Sequence, residues 1–218
     1  MYNILRDIIS KKDSDGVEHR IAHQQELMSC GPASVYMAEC LAKGKDVADS
    51  DGENKIKLIG LQFPNSLFMS NVFEGTKFGG YGSKVDNLIN ILVSVGLTVV
   101  RLTVVGHDET YRDSVSDKAH RAVIDTRLIK PLTPAIVLFG WYCRVERDSG
   151  SGRLVEWKRD GGHFVVATRV TKKGNIVYLD PWNGQATEVQ NNSQYRPRYA
   201  LQCVGRLEVV IYVKGNAS

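Results

Sequence analysis

Cys30 stands in the run Gln24-Gln25-Glu26-Leu27-Met28-Ser29-Cys30-Gly31-Pro32-Ala33-Ser34, and far downstream lie Gly162-His163-Phe164 and Asp180-Pro181-Trp182. A thiol, an imidazole, a carboxylate and a primary amide are the parts of nucleophilic acyl transfer. The thiolate attacks a carbonyl, the imidazole moves protons, the carboxylate fixes the imidazole tautomer, and the amide donates a hydrogen bond to the oxyanion. A cysteine that only fills a core needs none of these companions.

The chemistry requires elements that bring the four together. Gly31-Pro32 and the apolar spacing after it predict a helix from about Cys30 to Leu41, burying Ala33, Met37, Ala38 and Leu41 on one stripe and ending at Lys43-Gly44. Cys30 would then sit at the helix mouth, where unpaired backbone N–H groups and the helix dipole favour a thiolate. Asp160-Gly161-Gly162 reads as a turn signal, so His163 is expected to open a strand through Arg169. Thr171 to Asn175 reads as a tight turn and Ile176 to Leu179 as a second strand that Pro181 terminates after Asp180. In that hairpin the start of the first strand lies beside the end of the second, which brings His163 to Asp180.

On these residues and their order the sequence resembles the papain-like cysteine peptidases, and among them the C39 and C39-like families. Those families show a glutamine six residues before the Cys of a Cys-Gly-Pro-Ala-Ser type run, later a Gly-His-Phe/Tyr-Val-Val strand and then Asp-Pro-Trp, matched here by Gln24, Cys30, Gly162 to Val166 and Asp180 to Trp182. The resemblance implies that Cys30 is the nucleophile, His163 the general base and acid, and Asp180 its orienting partner. It further implies that Gln24 forms the oxyanion hole with the Cys30 backbone N–H, and that Trp182 shields the His–Asp hydrogen bond from water. Gln25 is chemically identical to Gln24, and only the spacing to Cys30 separates them. Ser29 and Ser34 flank the nucleophile, but a hydroxyl gains little from a helix mouth. Outside the three motifs, the segment from about Lys43 to Leu128 matches only in its general helical character.

The implied activity is that of a cysteine endopeptidase acting on a protein or peptide substrate through a thioester acyl-enzyme, in the manner of a bacterial effector or toxin, with an immunity or inhibitor protein as a further partner. Two other readings use the same residues: a deamidase or transglutaminase-type acyl transferase acting on glutamine side chains, and a non-catalytic binding module on a protease fold. The intact set of Gln24, Cys30, His163 and Asp180 counts against the last.

Composition bounds the remaining classes. A chain of 218 residues with 43% hydrophobic residues can bury one full core. The net charge of +4 is scattered, so a nucleic-acid partner is not expected, and Arg196-Pro197-Arg198 reads as a solvated loop. The four cysteines, Cys30, Cys40, Cys143 and Cys203, form no Cys-x-x-Cys pair and no histidine stands at metal spacing, so no metal or other cofactor is expected. Cys143 and Cys203 fall near apolar strands and read as buried free thiols, with a bridge between them the minority alternative. Free thiols favour a reducing compartment. No stretch reads as a membrane span and Met1 to Ile9 lacks a signal-peptide core, so a cytoplasmic location, or delivery into a target cell by a dedicated secretion system, is expected. C39 peptidases of peptide exporters are fused to membrane and ATPase parts that this sequence lacks, and a free-standing enzyme is the expectation.

The frame around the motifs reads as α+β, a papain-like fold with an N-terminal nucleophile helix packed on an antiparallel sheet. A single domain over 1–218 is expected, helical over about 1–130 and β-rich over about 131–218. Ser83 to Gly96 reads as a helix with a serine cap and an apolar stripe of Leu88, Ile91, Leu92 and Val95, Leu97 to Val105 as a strand, and His107 to Ile129 as a polar turn plus helix. His107 and His120 read as surface residues. Thr133 to Cys143 and Leu154 to Lys158 read as strands joined by a turn at Asp148 to Gly152, and Val204 to Val213 as the strand that closes the sheet. The glycine-rich Phe73 to Gly82 reads as a connector or a substrate-facing loop.

Overall fold

In a computed structural model, described over residues 8–25, 29–62, 83–106, 110–112, 123–149, 152–191, 195 and 203–216, the chain is α+β. The glycine-rich Phe73 to Gly82, His107, His120 and Arg196-Pro197-Arg198 lie outside these residues. Of three helices, α1 (Cys30–Ala42), α2 (Gly52–Gly60) and α3 (Val85–Ser94), α1 and α3 pack on one face of a seven-stranded sheet and α2 packs on α1 and α3. That sheet runs in the order β3 (Leu97–Val104), β9 (Cys203–Gly215), β5 (Ala135–Ser149), β6 (Gly152–Val170), β7 (Asn175–Asp180) and β8 (Gln185–Gln190), with β4 (Thr110–Arg112) added to β6. Every pairing is antiparallel.

The expected nucleophile helix forms, but it is buried on nearly every side. Gly31 through Ala38 are all buried, whereas Leu41 is only half-buried. A helix with this burial must lie between layers, and α1 is covered by the sheet on one side and by α2 and α3 on the other. Gly31 has a packing reason: a Cβ there would come within 2.2 Å of the Ser83 Oγ, so only glycine lets the start of α3 approach. Ser83 therefore packs against α1 instead of capping, and Lys84 occupies the cap position of α3.

β9 does not close the sheet at an edge. It lies between β3 and β5, and its Val209 to Val213 run is buried from both faces, as an interior strand requires. The largest departure is β6, which runs unbroken from Gly152 to Val170 where two strands and a turn are expected. Asp160-Gly161-Gly162 is a bulge: Gly140 pairs Gly162 while Tyr142 pairs Arg159, so β6 carries one residue more than β5, and Gly161 takes φ 125°. His163 is thus interior to a strand and immediately follows the bulge.

Two further departures concern the first half of the chain. Ile8–Lys12 (β1) and Glu18–Ala22 (β2) form a separate two-stranded hairpin, so the expected helical part over about 1–130 also contains strands. Of the helix expected between His107 and Ile129, the described residues instead form β4 and a short 3-10 turn, Thr126–Leu128. Cys143 and Cys203 are directly opposed on β5 and β9 and form a disulfide, which corrects the reading of two buried free thiols and removes the basis for a reducing compartment. Among the described residues no helix is long and apolar enough to cross a membrane.

Candidate active site

Cys30 is the first residue of α1, and the Ala33 N–H bond to the Ser29 carbonyl, 3.1 Å, closes the first turn around it. Its thiol is free and buried. His163 faces Phe139 across the β5–β6 ladder, and Asp180 is the last residue of β7. The ladder puts His163 on the sheet face opposite the helices, the side that carries Val137, Phe139, Val165 and Tyr178. On its other edge β6 is paired by β7 over Val166 to Val170 and by β4 over Glu156 to Lys158. Between them, among the described residues, no strand covers that edge.

His163 is 2% exposed and Asp180 fully buried. The His163 Nε2 lies 2.7 Å from Asp180 Oδ1, the same oxygen accepts from the Trp182 backbone N–H at 2.9 Å, and Tyr195 donates its hydroxyl to Oδ2 at 2.5 Å. With Nε2 committed to Asp180, Nδ1 is the ring nitrogen left for the Cys30 thiol, which hydrogen-bonds His163. Burial alone would lower the pKa of the imidazole. The hydrogen bonds and negative charges of Asp180 and Cys30 outweigh it and raise the pKa to about 10. Burial likewise opposes ionisation of Asp180, but its bonds from His163, Tyr195 and the Trp182 N–H hold the carboxyl below its ordinary range. This arrangement favours an imidazolium paired with the Asp180 carboxylate. Cys40 offers the contrast within the same helix: a buried thiol hydrogen-bonded to Tyr36, its pKa raised by burial.

Aromatic rings enclose the pair. Trp182 meets His163 edge-on at 6.4 Å, and the indole of Trp141 stacks on the imidazole at 5.8 Å and 18°. Tyr195 stacks on Phe139 at 4.6 Å, and its backbone exchanges two hydrogen bonds with Gly205. A Cβ at Gly205 would lie 2.9 Å from the Tyr195 carbonyl and 3.1 Å from Trp141, so glycine is what lets this ring cluster close.

The two glutamines are separated by their bonds. Gln24 is buried and its N–H donates to the Pro181 carbonyl at 2.8 Å, beside Asp180 and Trp182. Gln25 turns its side chain away, donating from Nε2 to the Ser50 carbonyl at 3.0 Å. The structure therefore brings together Cys30, His163, Asp180, Trp182 and the Gln24 backbone, and directs the Gln25 amide elsewhere. Trp141 and Tyr195 are the participants that sequence reasoning missed. The available signal was a lone tyrosine in the polar run Asn191 to Arg198.

No family model matches the chain, and no curated protein is significantly similar to it.

Among the described residues no group of three His, Cys, Asp or Glu side chains is placed to hold a metal ion.

Proposed function

We propose that this protein is a cysteine peptidase of the papain-like, C39-like type. The observation that carries the reading is the buried chain of bonds from the Cys30 thiol through His163 to Asp180, with Cys30 opening a helix. Its chemistry is acyl transfer. The Cys30 thiolate adds to a peptide carbonyl, and the oxyanion is held by the Gln24 side chain and the Cys30 N–H. The His163 imidazolium gives its proton to the leaving amine, the C–N bond breaks and a thioester remains. Neutral His163 then takes a proton from water, hydroxide adds to the thioester, and collapse returns the thiolate and the imidazolium.

Cys30→Ala keeps the volume of a small buried residue and removes the nucleophile. It is expected to abolish turnover, to below roughly 10⁻³ of wild type, with an unchanged circular dichroism spectrum. The decisive measurement is N-terminal proteomics on a lysate treated with wild type or with Cys30→Ala. New termini made only by wild type support proteolysis, glutamine deamidation or cross-linking without new termini would move the activity to the amidase reading, and full turnover by the variant would remove Cys30 from the chemistry.

A further inference from the structure

Glu53 and Lys57 are a buried ion pair in α2, 3% and 8% exposed, with Lys57 Nζ 2.6 Å from Glu53 Oε1. An acid in the first turn of a helix and a lysine four residues later is a common surface arrangement worth a few tenths of a kcal/mol. Burying the pair adds a desolvation cost that this gain does not repay. What burial secures is on the other carboxylate oxygen: Oε2 accepts the Gln25 backbone N–H at 2.9 Å. The preceding N–H, that of Gln24, donates to Pro181 at 2.8 Å. Consecutive amides are thus tied in opposite directions, one to the α2 helix and one to the turn beyond Asp180. The Gln25 side chain adds a third tie, to Ser50.

We propose that Glu53 is a positioning residue for the oxyanion hole. Its carboxylate, paired with Lys57 through one oxygen, fixes the backbone at Gln25 through the other, so that the Gln24 amide is aimed at the carbonyl oxygen that Cys30 attacks. The inference rests on the thiol acyl-transfer reading above. It separates two things a cysteine enzyme needs: Cys30 and His163 make the nucleophile, whereas Glu53 acts only on the charge that develops afterwards.

That separation sets the test. Glu53→Ala removes the acceptor, and kcat is expected to fall about 10–100-fold, a part of the loss that follows outright removal of an oxyanion donor, while KM changes less than about two-fold. Alkylation of Cys30 by iodoacetamide, which forms no oxyanion, is expected to keep its wild-type rate. Affinity for a peptide aldehyde, whose thiohemiacetal oxygen occupies the hole, is expected to drop in step with kcat. Glu53→Gln keeps an oxygen that can accept the Gln25 N–H and is expected to recover most of the lost rate. In a Gln24→Ala background the Glu53 substitution is expected to add almost nothing, because the group it aims is gone. If Glu53→Ala does not fold, the paired change Glu53→Met with Lys57→Met removes both charges at similar volume and enters the same cycle. An additive cycle, or an alkylation rate that falls with kcat, overturns the positioning role in a protein whose thiol-dependent turnover stands. Wild-type protein without such turnover overturns both readings.

Discussion

Asp180 carries the negative charge on which the His163 imidazolium depends, and it is held by three donors in a site closed to water. Removing one donor tests how much each matters. Tyr195→Phe keeps the ring stacked on Phe139 and deletes only the hydroxyl. A hydrogen bond to a charged acceptor is worth about 1.5–3 kcal/mol, so kcat/KM is expected to fall roughly 10–100-fold. With one donor fewer the Asp180 carboxyl titrates higher, and the acid limb of the pH–rate profile is expected to move to higher pH. A purely structural tyrosine would lower the melting temperature and leave that limb in place. The imidazole sets the other limb. Its folded pKa, about 10, lies above the unfolded value of 6.5, so the stability contributed by the imidazolium is fully present below about pH 6.5 and is lost as pH rises through about 10, where the folded protein gives up that proton. Alkylation of Cys30 that tracks a histidine of ordinary pKa would contradict this. That Cys30, His163, Asp180 and the Gln24 backbone come together was legible because each stands in a short motif. Tyr195 and Trp141 were not, since each acts only through contacts between segments distant in sequence, and Trp141 in its apolar run looks like any core residue.

Elements that carry their own punctuation were legible at their boundaries. α1 and α3 declare themselves by Pro32 and by Gly96, which takes φ 79° after α3. β6 was misread because a bulge and a turn share the same glycine signal, and only the partner strand decides between them. The β1–β2 hairpin escaped notice because its stability comes from a remote docking site. Asp13, buried in its turn, accepts from the Asp15 and Val17 N–H groups, pairs with His19 Nε2 at 2.9 Å and meets Arg169 of β6, while Arg169 also reaches Asp15 at 2.8 Å. Burial opposes the charge on Asp13, but these partners outweigh it and lower the pKa from 3.8 to about 2. A depressed carboxyl contributes stability that is complete above about pH 4 and disappears as pH falls through about 2. The difference in urea midpoint between wild type and Asp13→Asn is therefore expected to be largest near neutrality and to shrink between about pH 4 and 2. A difference that stays constant with pH would assign the loss to packing and not to charge. The hairpin ends at Ala22, two residues before Gln24, so the same variant is expected to lose some turnover as well.

At the scale of the whole molecule, one covalent bond ties the sheet to the site. The Cys143–Cys203 bridge joins the interior strands β5 and β9, with Trp141 two residues from one cysteine and Gly205, the partner of Tyr195, two from the other. It links positions 60 residues apart, a separation at which restricting the unfolded chain is worth about 4 kcal/mol at most, with about 2–4 kcal/mol the usual yield. For a chain of this length each kcal/mol moves the melting temperature by roughly 2–4 °C. Cys143→Ser with Cys203→Ser is expected to melt roughly 5–15 °C lower than wild type. The two thiol systems make opposite demands, because Cys30 reacts only when reduced whereas the bridge stabilises only when oxidised. Adding strong reductant should therefore lower the melting temperature of wild type and leave that of the double variant unchanged, while Cys30 remains open to alkylation in both. At a temperature where both proteins are folded, the variant is also expected to turn over more slowly, since the strands beneath Trp141 and Tyr195 are no longer pinned. A wild-type melting temperature indifferent to strong reductant would mean that the β5–β9 ladder and its buried valines hold this end of the sheet without the bridge.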